Sequence, residues 1–164
     1  MLEHLKRHAI GADALFLVPG FFLFAGEGAL IAWDVFRREG GPDALQTFSP
    51  VGLLLIAAGV GFAVGGALAL RGNYSSSLVI RKGHELVVHG IYRLVRHPIY
   101  LGAILVMIGG PIGTSSWIAV FPALLMVPLF LYRMSVEEAL LLEEFGDKYR
   151  AYMSATKRLI PFIY

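Results

Sequence analysis

The sequence predicts an all-α membrane protein, a polytopic bundle of about four transmembrane helices with a cytoplasmic loop and an amphipathic C-terminal helical segment. Hydrophobic residues make up 57% of the 164 residues, charged residues make up only 16%, and the mean hydropathy is +0.68. The apolar residues occur in runs long enough to cross a hydrocarbon core of about 30 Å. The chain has no cysteine, which excludes disulfides, thiolate metal sites and a covalent cysteine intermediate.

The first predicted helix lies in the N-terminal part of the chain, residues 1–71, which is expected to hold two transmembrane helices. Its apolar run extends from about Ala9 to Trp33 and is interrupted only by Asp13, Pro19 and Glu27. A carboxylate inside a membrane is costly. We therefore expect Glu27 to face protein, a polar cavity or a partner, or to be protonated.

The second predicted helix is a run from Val51 to Leu70 that carries no charge. Within this run Ala57, Gly61 and Gly65 recur every four residues, which places small side chains on one helical face. We expect a neighbouring helix to pack closely on that face.

The C-terminal part, residues 72–164, is predicted to contain a polar loop, a transmembrane hairpin and cytoplasmic helices, and to form one integral membrane domain with the first part. The loop, residues 72–96, includes a segment of alternating apolar and polar residues, which indicates short strands or an ordered loop. A third apolar run begins at Pro98, which suits the first position of a helix, and ends at about Ile112. A fourth run from Trp117 to Tyr132 completes a tight hairpin. Breaks or kinks are predicted at Gly109, Gly110, Pro111, Pro122 and Pro128.

The tail, residues 134–164, has apolar residues at roughly helical spacing and is predicted to be amphipathic, without crossing the membrane. Gly146 is expected to end one helix, and Asp147 is expected to cap the next. The tail thus consists of a helix, a bend and a shorter helix.

The distribution of basic residues predicts the orientation of the bundle. Only Arg37 and Arg38 fall on one side of the four runs, so twelve of the fourteen Lys and Arg residues lie on the side of the termini. The positive-inside rule places both termini and the loop in the cytoplasm. Because the basic residues form no continuous stripe, we predict no nucleic-acid partner.

Two polar segments, residues 84–100 and 133–138, lie at the predicted cytoplasmic boundary of the membrane. The hairpin brings the inner ends of its two helices together, so we expect both segments to surround one ligand. Arg133 and Glu137 are four residues apart, and a surface ion pair or an arginine among lipid headgroups would also suit that spacing. The histidine spacing matches no metal signature, so we predict no metal site. The residues expected around the ligand are His84, Tyr92, His97, Tyr100, Arg133 and Glu137.

Several motifs in the C-terminal half occur in an order that is typical of one family. They are GIYRLVRHPIYLG at 90–102, Arg133, the pair Glu137–Glu138, EEFGDKYRAYM at 143–153 and the closing RLIPFIY. With these motifs, residues 80–164 resemble the isoprenylcysteine carboxyl methyltransferase family and, more distantly, the phospholipid N-methyltransferases. The resemblance implies a bundle of membrane helices with a cytoplasmic cofactor pocket closed by the C-terminal segment. It also implies S-adenosylmethionine as the cofactor.

The resemblance implies roles for individual residues. Arg133 matches the arginine on the substrate side, and we predict that Arg133 and Glu137 are the catalytic residues. The aromatic face of Tyr100 is expected to contact the adenine or the sulfonium of the cofactor. The other cofactor contacts are expected at His84, Glu85, Leu86, Val87, Tyr92, His97 and Glu137.

Methyl transfer from a sulfonium is an in-line displacement, which needs positioning and electrostatics more than a nucleophilic side chain. Arg133 would orient a carboxylate acceptor, whereas an amine or thiol acceptor would need a base such as His97 or Glu137. We therefore predict an integral membrane methyltransferase, dependent on S-adenosylmethionine, whose lipophilic or lipid-modified acceptor resembles isoprenylcysteine carboxylate. Membrane lipids are its expected partners. The alternatives are a phospholipid or small-thiol methyltransferase, or a non-enzymatic membrane scaffold or transport subunit.

Overall fold

The fold is an all-α bundle in the parts of the chain that the structure, a computed structural model, describes: residues 2–39, 48–70 and 85–164. In these residues there is no strand, and the predicted fold class is confirmed. Short 3₁₀ turns at Gly90–Arg93 and Trp117–Ala119 precede the third and fourth helices. The five helices are α1 (Leu2–Glu39), α2 (Pro50–Leu70), α3 (Pro98–Thr114), α4 (Val120–Phe145) and α5 (Asp147–Ala155).

Three of the described segments are long and apolar enough to cross a membrane, and they are Phe16–Arg37, Pro50–Leu70 and Trp117–Phe145. The remaining apolar helix, α3, has 17 residues. At about 1.5 Å per residue it is about 26 Å long, slightly shorter than a hydrocarbon core. The described part of the bundle therefore contains three long apolar helices and one shorter one.

The closest helix contact is between α2 and α3, and glycines form it. A methyl group added at Gly59 would lie 2.6 Å from the carbonyl oxygen of Gly102, and one added at Gly109 would lie 2.9 Å from that of Gly52. Gly52, Gly59 and Gly66 are the buried residues of α2, and they are spaced by seven. We call this contact the glycine seam.

The predicted packing face of α2 was wrong at two of its three residues, whereas a methyl group added at the third, Gly65, would lie 3.2 Å from Cδ1 of Ile91. Ala57 is exposed, and a methyl group added at Gly61 would meet no atom within 4 Å. The reason is geometric, since a step of four residues turns about 40° beyond a full circle whereas a step of seven returns to within about 20° of one. A seven-residue spacing therefore stays on a long seam between two helices.

Residues 115–119 join α3 and α4 in the predicted hairpin, but each helix packs mainly on another one: α3 packs chiefly on α2, and α4 packs chiefly on α1. The rings of Phe16 in α1 and Phe130 in α4 lie 5.2 Å apart. The buried apolar core is formed largely by α3, α4 and the segments beside α3. It consists of Val95, Leu101, Met107, Ala123, Met126, Phe130, Met134 and Leu159.

The helices continue through their prolines, so the predicted breaks are not observed. Pro111 lies inside α3 and Pro128 inside α4, while Pro98 occupies the first turn of α3 as expected. A proline removes one backbone donor, and the neighbouring helical hydrogen bonds hold the backbone of a membrane helix in place. Continuity also means that α4 extends past Tyr132 to Phe145.

The C-terminal tail returns to the start of α3. Gly146 ends α4 with a φ of +53°, as predicted. Gly146 also precedes α5, so Asp147 is the first residue of that helix instead of its cap. Beyond α5, the amide of Arg96 donates to the carbonyl of Lys157 at 2.8 Å. Residues 85–96 form the ordered-loop alternative of the prediction, with a 3₁₀ turn and one isolated bridge between Val95 and Lys157. Residues 71–84 lie outside the described part of the chain.

Candidate functional site

A cavity of about 240 Å³ lies where the first turn of α3 meets α1 and α4. We call it the inner cavity. The rings of Phe16 and Phe130 form part of its apolar wall. Its polar lining consists of Tyr92, Arg96, His97, Tyr100, Arg133 and Glu137.

Tyr100 connects the two charged residues of α4 in this cavity. The Nε of Arg133 donates to the hydroxyl of Tyr100 at 3.0 Å, and that hydroxyl donates to Oε2 of Glu137 at 2.8 Å. Tyr100 lies in the first turn of α3, and its side chain extends to α4. The phenol therefore fixes the guanidinium and the carboxylate relative to each other.

The first helix contributes two further contacts to Arg133. Oδ1 of Asp13 lies 2.9 Å from Nη2 of Arg133, and both side chains are largely buried. The guanidinium carbon also lies 4.5 Å from the centre of the Phe16 ring, within the range of a cation–π contact. Both contacts come from the N-terminal part of α1.

Glu138 forms a second cluster that ties the tail to the bundle. Its Oε1 lies 2.9 Å from Nε of Arg96 and 3.2 Å from Nε2 of His97. Its Oε2 lies 3.2 Å from Nε of Arg158 in the tail. Arg96 also donates to the carbonyls of Met153 and Thr156, so one buried carboxylate organises the contact between α3, α4 and the tail.

A larger cavity of about 930 Å³ lies between the tail and the segment before α3, and we call it the outer cavity. Glu85, Arg93 and Lys148 give it a charged lining, and Leu86 and Phe145 give it an apolar one. Its volume is within the range of ordinary small-molecule sites.

One hydrogen bond joins the walls of the two cavities. The hydroxyl of Tyr152, in the outer cavity, donates to the carbonyl of Tyr92, in the inner cavity, at 2.6 Å. Burial raises the pKa of the Tyr152 phenol above its ordinary value, so the hydroxyl stays protonated and can donate.

The structure brings most of the predicted site residues into these two cavities. Glu85 and Leu86 line the outer cavity. Val87 is in the wall of neither cavity, and His84 lies outside the described residues. The predicted residues in the inner cavity are Tyr92, His97, Tyr100, Arg133 and Glu137.

Sequence reasoning did not assign roles to Asp13, Phe16 or the Glu138 cluster. Asp13 carried a signal, because a charged residue inside an apolar run is a functional candidate in itself. Glu27, which carried the same signal, is 4% exposed, and a methyl group added at Gly110 of α3 would lie 3.6 Å from its Oε1. Glu27 therefore faces protein and stands apart from both cavities.

Helices α2, α3 and α4 match a known family. A model of the phospholipid methyltransferase family matches residues 48–148, more than half of the chain. The chain belongs to the phospholipid methyltransferase family. The resemblance predicted from the motifs is confirmed, and the apolar helices of this family member make it an integral membrane protein. Helix α1 lies outside the matched residues.

Individual relatives include proteins with different names. The chain is 38% identical over 72 residues to a methanethiol S-methyltransferase of Bradyrhizobium diazoefficiens, covering 44% of this chain and 25% of that protein. It is 35% identical over 81 residues to protein-S-isoprenylcysteine O-methyltransferase A of Arabidopsis thaliana, covering 49% of this chain and 41% of that protein. It is 31% identical over 85 residues to a Delta(14)-sterol reductase of Mus musculus, covering 50% of this chain and 20% of that protein. The matched segments thus span less than half the length of these relatives.

Proposed function

We propose that this protein is a membrane methyltransferase that uses S-adenosylmethionine and acts on a lipophilic acceptor. The observation that carries the proposal is the convergence of His97, Tyr100, Arg133 and Glu137 on one cavity at the polar ends of apolar helices. Such a position suits a ligand that arrives from the lipid, and the outer cavity beside the tail suits a water-soluble cofactor. Family membership supports the same reaction.

The residues of the two cavities fit the chemistry of the proposed cofactor. When bound, the cofactor supplies a methyl group on a positively charged sulfur. Glu137 offers a carboxylate to hydroxyl or ammonium groups, and the aromatic rings of Tyr92 and Tyr100 suit a sulfonium or an adenine. We assign cofactor binding to His84, Glu85, Leu86, Val87, Tyr92, His97, Tyr100 and Glu137.

The protein's own contribution is positioning in a largely buried site. Tyr100 holds the carboxylate of Glu137 in place, and the Glu138 cluster holds the ring of His97. Arg133 lies across the Tyr100 hydroxyl from Glu137, and we assign it to the acceptor side of the cavity. Fixed groups in a water-poor site lower the barrier to displacement because they need no rearrangement during the reaction.

We further propose that this site faces the cytoplasm. The basic residues on the side of both termini support this orientation through the positive-inside rule. The cofactor would then arrive from the cytoplasmic water and the acceptor from the membrane.

The first test separates binding from turnover in purified protein held in lipid nanodiscs. Calorimetry is expected to show binding of S-adenosylmethionine, and a labelled methyl group is expected to reach a lipophilic acceptor. Glu137→Ala should weaken cofactor binding at least about tenfold, because it removes a charged hydrogen-bond partner. Arg133→Ala should abolish turnover and largely spare cofactor binding.

The matched control is Glu144→Ala, because Glu144 is an exposed carboxylate of the same helix. It should bind and turn over like the parent protein. Equal losses of cofactor binding in the Glu137 and Arg133 variants would contradict the assigned roles. Folded protein that binds no S-adenosylmethionine would contradict the proposed function.

A further inference from the structure

The guanidinium of Arg133 is completed by α1, a helix that lies outside the residues matched by the family model. Asp13 pairs with it, and the ring of Phe16 covers one of its faces. A role of α1 in the choice of acceptor rests on the proposed function.

The edge of Arg133 that would bind a carboxylate is already in use. A guanidinium receives a carboxylate in bidentate fashion through two parallel N–H groups, such as those on Nε and Nη2. In this protein Nε donates to the Tyr100 hydroxyl at 3.0 Å, and Nη2 lies 2.9 Å from Oδ1 of Asp13. Nη1, on the remaining edge, is fully buried. A carboxylate acceptor would therefore have to displace Asp13.

The charges around the cavity oppose that displacement. Asp13 neutralises Arg133, and Glu137 adds a second carboxylate on the other side of Tyr100. Arg96 also lines the cavity, but it lies 2.9 Å from Oε1 of Glu138. An anionic acceptor would meet two carboxylates around one guanidinium in a site of low exposure, where like charges repel strongly.

We propose that Asp13 is a specificity-determining residue that makes the site select an acceptor without negative charge, a lipophilic thiol or amine, over a carboxylate. A thiol forms its new bond to the methyl carbon with a sulfur lone pair, while the methyl–sulfonium bond breaks and its electrons go to the cofactor sulfur. The thiol proton passes to Glu137 or to water, and the product is a neutral thioether. An alkylammonium first loses a proton to Glu137 or to water, and the free amine then forms its bond to the methyl carbon with the nitrogen lone pair.

The test offers three acceptors at once to protein in zwitterionic nanodiscs. They share one alkyl chain and end in a thiol, an amine or a carboxylate, and mass spectrometry measures the methylated products. The parent protein is expected to form thioether or methylamine at least about tenfold faster than methyl ester. Asp13→Asn should shift this ratio toward the ester by about tenfold, because it removes the negative charge that neutralises Arg133. The ratio is internal to each preparation, so a loss of folded protein cancels.

Two matched variants complete the test. Asp34→Asn makes the same change at a buried aspartate at the other end of α1 and should leave the ratio unchanged. Asp13→Glu keeps the charge and should keep the preference against the carboxylate. An ester formed as readily as the other products by the parent protein would overturn the proposal. An equal ratio in the Asp13→Asn and Asp34→Asn variants would overturn it as well.

A binding measurement separates this proposal from the proposed function. The alkyl carboxylate alone should bind the Asp13→Asn variant at least about tenfold more tightly than the parent protein. If no acceptor is methylated and no cofactor binds, the proposed function fails, yet this difference in binding still supports the role of Asp13. Equal binding of the carboxylate by both proteins overturns that role even if methyl transfer is observed.

Discussion

The glycine seam and the inner cavity show two different ways of joining membrane helices. In the seam, the backbones of α2 and α3 approach each other directly, because neither Gly59 nor Gly102 has a side chain to separate them. Around the cavity, α1, α3 and α4 are joined through the side chains of Asp13, Arg133, Tyr100 and Glu137. The seam is uncharged and depends on close backbone packing, whereas the cavity holds charged side chains in fixed positions.

The two regions meet at the first turn of α3. A methyl group added at Gly66, the last glycine of the seam, would lie 2.7 Å from Cγ1 of Ile99, next to His97 and Tyr100 of the site. The contact with α2 therefore fixes the first turn of α3, from which Tyr100 reaches Arg133 and Glu137 of α4. The uncharged region thus supports one side of the charged one.

The largest effect on stability is expected at the Glu138 cluster, which shares Arg96 and His97 with the inner cavity. Glu138→Ala should lower the free energy of unfolding by about 3–5 kcal/mol, because it leaves Arg96, His97 and Arg158 close together without their carboxylate. Thermal unfolding in detergent measures this loss, and trypsin should cut the released tail at Lys157 or Arg158. Glu144→Ala, at an exposed carboxylate, is the control. Equal stability of the two variants would mean that the cluster does not hold the tail.

A smaller effect is expected in the seam. Gly59→Ala should cost about 1–3 kcal/mol, because the added methyl group would lie 2.6 Å from the carbonyl oxygen of Gly102 and force the helices apart. Gly61→Ala, two residues away in α2, places its methyl group in open space and should change the unfolding temperature little. The comparison would fail if both substitutions were tolerated equally in the same nanodiscs.

Much of the fold could be predicted from the sequence, because lipid requires long apolar helices and basic residues mark their ends. The uncharged run of α2 and the proline at the start of α3 are local signals, and the structure agrees with both. The seam could not be predicted in the same way. A step of four and a step of seven both place small residues along α2, and only the partner helix decides which set is buried.

The site follows the same division between local and distant signals. Residues 85–100 and 133–138 lie at the inner ends of α3 and α4, which a short loop joins at their other ends. This connection made it possible to predict from the sequence that His97, Arg133 and Glu137 share one cavity. Asp13 lies 120 residues from Arg133 in the chain. Their contact depends on the packing of α1 against α4, which no local pattern specifies.

The smallest expected effect lies at the boundary between the two cavities. Tyr152→Phe removes the hydrogen bond to the carbonyl of Tyr92 and should cost about 1 kcal/mol of unfolding free energy. Because this bond joins the walls of both cavities, the variant should also bind S-adenosylmethionine several-fold more weakly. Tyr132→Phe makes the same change at a half-exposed position of α4 and should alter neither quantity. If cofactor binding survives the loss of the Tyr152 hydroxyl while stability falls, the bond supports the tail alone, and the two cavities bind their ligands independently.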